Sequence, residues 1–167
     1  MQQQKVFFGG LTLLGLSVRT NNANEMDPKR AKISALVERY HQEQTAQAMH
    51  HRSRPGVTYC AFTDYESDVT GDYTYFIGES VENLEGQDLE RFRHILVPQG
   101  MYQRFTPQPG PMPDVVIQAW HHIWAMDEQR LGGKRAYRVD VEVYDQRATN
   151  PNHTALDLYI GIGTMQA

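Results

Sequence analysis

One order of elements runs twice through this chain, strand, helix, strand, strand, and that repeat limits the folds open to it more than any other feature. The first copy opens on "VFFGGLTLLGLSV", Val6 to Val18, an apolar run of strand character. Asp27 followed by Pro28 signals a helix start, a capping side chain before a residue whose fixed φ suits the first turn. Ile33, Leu36, Val37 and Tyr40 then follow the spacing of one apolar helix stripe. "SRPG" at 53–56 ends that region, and the β-rich runs "VTYCAFTDYES" and "DYTYFIGESV" follow, joined by "DVTG" as in a hairpin.

The second copy opens on "RHILVPQGMYQRFTP", a strand with a Pro-Gln-Gly irregularity. "PGPMPD" breaks the chain and starts a helix whose stripe is Val116, Ala119, Trp120 and Ile123, with Trp124 beside it. Gly132 and Gly133 stop it, and "KRAYRVDVEVYDQ" and "ALDLYIGIGTM" close the copy as two strands. The letters agree as well: "YCAFTDY" (59–65) stands where "YRVDVEVYD" (137–145) does, and "YFIG" (75–78) where "LYIG" (158–161) does. The expectation is an α+β fold built from tandem duplicated βαββ modules, about 5–84 and 92–165, with "EGQDLERFR" (85–93) as connector. That gives six antiparallel strands and two long helices with approximate twofold symmetry. In a chain of 167 residues neither copy buries much core alone, so residues 1–167 should form a single unit. The seam between the copies is the natural place for a ligand cleft.

Several kinds of function lose support at this level. The net charge of -4 argues against direct nucleic-acid binding, which needs a clustered surplus of Lys and Arg. The basic runs "HHRSR" (50–54) and "GGKR" (132–135) read as solvated helix ends and loops. The apolar N-terminal run is too short to span a bilayer and is interrupted by glycines, so it reads as a buried strand and the protein as cytoplasmic, with no membrane partner. His50–His51 and His121–His122 are adjacent pairs, and neighbours on a helix diverge by about 100°, so no metal site is expected. Cys60, the one cysteine, lies in a strand-like run where a buried thiol is the usual case. No phosphate-cradling glycine motif or nucleophile elbow is present, and no cofactor is expected.

Acids and aromatics remain. In "YRVDVEVYDQ", Tyr137, Val139, Val141 and Val143 alternate with Arg138, Asp140, Glu142 and Tyr144. Alternation puts the charged row on one face, where acids of a half-buried sheet most often meet water. An acid among tyrosines in a concave site is also how a protein holds an organic cation, through charge and ring faces together.

Over nearly its whole length, from "GLSVRTNN" to "YIGIG", the chain resembles the GyrI-like effector-binding family. The resemblance is carried most specifically by "TDYESDVTGDYTYFIG", "PDVVIQAWHHIW" and "DVEVYD". Members form the small-molecule-binding domains of AraC- and MerR-type multidrug regulators and also occur alone, on integron cassettes among other places. The resemblance implies an aromatic pocket between the two copies, with one buried glutamate facing lipophilic cations. Glu142 stands in that glutamate's place, with Val141 where the family has phenylalanine. Tyr144, on the same face, reaches the same cavity. Trp120, Tyr159 and Tyr75 are expected as walls, Phe62 and Tyr40 as further ones, and Arg138 at the rim, with Asp140 undecided.

The regulators of this class carry a helix-turn-helix ahead of the binding domain, and none is expected here. The reading is then a stand-alone protein that binds an amphipathic, cationic small molecule. Two alternatives stay open. Some relatives hydrolyse electrophilic compounds, and Glu142 with Tyr144 can supply a general base and an orienting hydroxyl. The third reading is a protein-interaction module with gyrase or a transcription regulator as partner.

Overall fold

The structure, a computed structural model, describes residues 1–163; residues 164–165 of the expected second copy lie outside the described residues. Eight strands form one antiparallel sheet: β1 (Gln2–Phe8), β2 (Leu11–Thr20), β3 (Thr58–Thr63), β4 (Tyr73–Val81), β5 (Arg93–Val97), β6 (Gly100–Thr106), β7 (Val139–Tyr144) and β8 (Asp157–Gly161). The helices are α1 (Asn22–Glu25), α2 (Ile33–Gln42), α3 (Asp114–Trp124) and α4 (Glu128–Leu131). The strand order β1-β6-β8-β7-β3-β4-β2-β5 reads the same from both ends under the duplication. At the centre β3 pairs with β7, and Ala61 faces Val141 with Cys60 opposite Glu142 and Phe62 opposite Asp140. A twofold axis through that pair exchanges Phe62 with Glu142 and Cys60 with Asp140.

Each copy holds one strand more than the sequence pattern gives. The apolar N-terminal run is two strands parted at Gly9–Gly10, and "RHILVPQGMYQRFTP" is two parted at Pro98–Gln99. The extra strands cross over: β1 of the first copy pairs with β6 of the second, and β5 of the second pairs with β2 of the first. Strand periodicity is local and does not say which neighbour a strand pairs with, so this exchange is invisible in the pattern.

Two-residue links between strands at opposite ends of the sheet force it to curl. Gly10 donates its N–H to the Val97 carbonyl at 2.7 Å, carrying the β2–β5 pairing into the β1–β2 link. Val6, Phe8 and Tyr102 from one end meet Leu13, Phe76 and Val97 from the other in a single buried cluster on the inner face. Gly9 has φ +105°, and a Cβ there would collide with the Pro98 carbonyl. Gly9→Ala should therefore destabilise the fold by about 1–3 kcal/mol from backbone strain alone, read as a lower denaturant midpoint with an unchanged slope.

The outer face carries α2 over one half and α3 over the other. Leu36 and Tyr40 pack on Tyr75 and Ile77, while Val115, Ala119 and Ile123 pack on Phe105, Leu158 and Ile160. α2 begins later than Asp27–Pro28 predicts. Asp27 instead starts a turn, accepting from the Arg30 and Ala31 N–H groups. The α2 start is capped by the Glu25 carboxylate, which accepts from the N–H groups of Lys32 at 3.0 Å and Ile33 at 3.1 Å. Gly132, with φ +84°, ends α4; α3 has already stopped at Trp124. Among the described residues no helix is long and apolar enough to cross a membrane.

Candidate functional site

α2 and α3 stand apart over the centre of the sheet, and between them lies a cavity of about 590 Å³. Its position follows from the duplication: each helix covers its own copy, and the central strands between them stay uncovered. Ile33 and Val37 form the wall on the α2 side, and Val116 and Trp120 the wall on the α3 side. Phe62, Tyr75 and Glu142 rise from the sheet between them. The volume falls within the range of drug-sized ligand sites.

The alternation of β7 decides what faces this space. Val139, Val141 and Val143 enter the inner core, and Asp140, Glu142 and Tyr144 face the helices. Neither row is wet, which rules out the solvated-face reading of the acids. Glu142 is 5% exposed. Its Oε2 accepts from the Trp120 indole N–H at 2.7 Å, and its Oε1 from the Tyr144 hydroxyl at 2.7 Å. Burial pushes its carboxyl above the usual glutamate range, and these two hydrogen bonds pull it part of the way back. Among the described residues no Lys, Arg or His pairs with it.

Asp140, one step along the same row, is in a different state. It is fully buried, and the Arg135 guanidinium donates to its Oδ2 at 2.7 Å. The Tyr65 hydroxyl donates to the same oxygen, and the Gly161 N–H to Oδ1 at 2.9 Å. One acid of the row is thus neutralised from within the chain and the other is not. Cys60, directly across from Glu142, is buried; burial first, and the Glu142 charge second, push its thiol up and leave it unreactive.

Of the seven residues marked by the sequence, Glu142, Tyr144, Trp120, Tyr75 and Phe62 converge on the cavity. Phe62 sits 4.9 Å from Trp120 and 5.3 Å from Tyr75 between ring centroids, both edge-on. Tyr159 does not join them. It lies opposite Val141 in the β7–β8 pairing and stacks on Phe8 at 3.9 Å, on the inner face. Tyr40 is also outside the lining: it stands beyond Val37 on α2, in the core against β4. Arg138 is exposed and does not line the cavity.

The cation at the cavity is Arg135, from the "GGKR" run that reads as solvated. Its side chain is 11% exposed, tied down by Asp140. Tyr65 and Tyr73 line the same space. Tyr73 was within reach of sequence reasoning, since it shares a strand face with Tyr75; Tyr65 and Arg135 sit in loops that periodicity does not orient. Trp124, 40% exposed, stands with His121 on the α3 side of the mouth. Among the described residues no three His, Cys, Asp or Glu side chains gather as metal ligands.

Known proteins resemble this chain over most of its length. YobU of Bacillus subtilis (strain 168), provisionally named a transcriptional regulator, is 30% identical over 151 residues, covering 89% of both chains. The crystal structure of an integron cassette protein from the mobile metagenome of Vibrio cholerae has a TM-score of 0.73 at 26% identity, covering 96% of this chain and 95% of that one. SAV2435, solved with tetraphenylphosphonium bound, has a TM-score of 0.74 at 19% identity, covering 99% and 96%, and is alike in fold. The profile of the integron-associated effector binding proteins matches residues 10–162, and this chain belongs to that family.

Proposed function

We propose that this protein binds an amphipathic organic cation in the cavity between α2 and α3, with Glu142 as counter-charge and Trp120, Tyr144, Tyr75 and Phe62 as walls. One observation carries the reading: Glu142 is a buried carboxyl in an aromatic cavity, and among the described residues no cation pairs with it, while its neighbour Asp140 has one. An unpaired buried carboxylate is costly, and a bound cation removes that cost while aromatic faces favour the same charge. The fold relative with tetraphenylphosphonium bound supports the same ligand class.

Tetraphenylphosphonium and tetraphenylborate share shape and apolar area and differ in charge sign, so they isolate the contribution of Glu142. By calorimetry the phosphonium should bind at least about tenfold more tightly than the borate, the weight of one charge-assisted contact. Equal binding, or a preference for the borate, would leave the pocket a purely apolar one and sink the cation reading. Consumption of a bound electrophile, lost in Glu142→Gln with binding kept, would move the assignment to a hydrolase.

A further inference from the structure

Arg135 makes the cavity bipolar. Its guanidinium lies 4.5 Å from the Tyr137 ring centroid, 5.7 Å from Trp120 and 5.8 Å from Tyr65, held among aromatic faces in the cavity wall. Among the described residues its two side-chain hydrogen bonds, to Asp140 at 2.7 Å and to the Tyr65 hydroxyl at 3.4 Å, both run through Nη2. Its Nε is buried without an acceptor among the described residues. Asp140 shows the opposite balance, with three donors on its two oxygens. The pair is matched in charge and unmatched in hydrogen bonding: among the described residues three donors reach the acid, while the Nε and Nη1 donors of the fork meet no acceptor.

We propose that Arg135 is a second ligand-binding pole, one that takes an acceptor oxygen, carbonyl or carboxylate, of the same molecule whose cation sits at Glu142. This rests on the cation reading above. One indole connects the poles: Trp120 donates its N–H to Glu142, and Arg135 lies 5.7 Å from its ring centroid. A single fused-ring ligand can span them. A guanidinium engaged end-on by one carboxylate keeps further donors in a planar fork, which a point-charge ammonium would not. The ligands favoured are then zwitterions and acceptor-bearing amphiphilic cations over bare lipophilic cations.

Three dyes on one cationic xanthene skeleton separate the poles: tetramethylrosamine, with an unsubstituted phenyl ring; tetramethylrhodamine methyl ester, with an added carbonyl; and tetramethylrhodamine, with a carboxylate. In wild type the ester and the acid should each bind roughly tenfold more tightly than the rosamine, as expected for a charge-assisted hydrogen bond. In Arg135→Met/Asp140→Asn, which removes both charges together, the ratio should fall to about one. Arg135→Lys keeps a charge opposite Asp140 but loses the fork, so its ratio should drop as well if the double variant fails to fold. Rosamine binding as tight as the ester in wild type, or a ratio unmoved by both variants, overturns the second pole and leaves the cation reading standing. Failure of all three dyes to bind overturns both.

Discussion

Glu142→Gln should weaken the binding of a lipophilic cation ten- to a hundredfold and leave the fold intact. The glutamine keeps the shape of the side chain and an oxygen that accepts from the Trp120 indole at the position now held at 2.7 Å. What it removes is the charge, and a hydrogen-bonded charge contact is worth about 1.5–3 kcal/mol, at about 1.4 kcal/mol per decade of affinity. Acidity gives an independent check. Because burial holds the Glu142 carboxyl above the usual glutamate range, cation binding to wild type should fade as pH drops through that raised value, and the mutant profile should be flat. The stability sign is opposite. A carboxyl raised in the folded state adds stability at low pH that is lost as pH rises through the raised value, so the ionised form burdens the free protein near neutrality. Glu142→Gln should unfold at an equal or higher denaturant concentration there. Equal cation affinity in wild type and mutant across that pH range would take Glu142 out of the binding account.

How far the sequence reaches is visible residue by residue. Periodicity was enough to place Glu142 and Tyr144 on one strand face and Trp120 on a packed helix stripe, since each signal is local. The echo of "YFIG" in "LYIG" also held the answer for Tyr159, because it sets Tyr159 level with Phe76 and Leu158 level with Tyr75. The pairings agree: Ala61 faces Phe76 as Val141 faces Tyr159, on the inner face. Strand parity therefore excludes Tyr159 from the cavity, however aromatic it is. The twofold also shows where the copies diverge. Phe62 occupies the position equivalent to Glu142, and Cys60 that of Asp140, so one copy supplies an apolar wall where the other supplies acids. What no local pattern contains is the fate of Arg135. Its loop turns back under left-handed backbone at Gly132 and Tyr137, with φ of +84° and +51°, and only that path brings it onto Asp140. Two acids two residues apart on one face thus look alike in sequence and differ in the folded protein because of a cation placed by a loop.

Asp140→Ala should be the most damaging single change at this site, lowering stability by about 3–5 kcal/mol. The substitution strands the Arg135 guanidinium in a wall where its side chain is 11% exposed, and it deprives the Gly161 N–H of β8 and the Tyr65 hydroxyl of their acceptor. A chain of this size loses about 2–4 °C of Tm per kcal/mol, so thermal unfolding should come earlier by on the order of ten degrees. The same change at Glu142 strands no charge, because no cation of the described chain leans on it. The loss should also be largely reversible in a second step. Arg135→Met with Asp140→Ala removes the orphaned cation, and replacing a buried ion pair with apolar groups is often neutral or stabilising, so the double variant should regain most of what the single one loses. Calorimetric scans of the two singles and the double give the coupling directly. Additive losses would mean that Asp140 acts through Gly161 and Tyr65 alone, and that Arg135 is held in the wall by its aromatic neighbours rather than by charge.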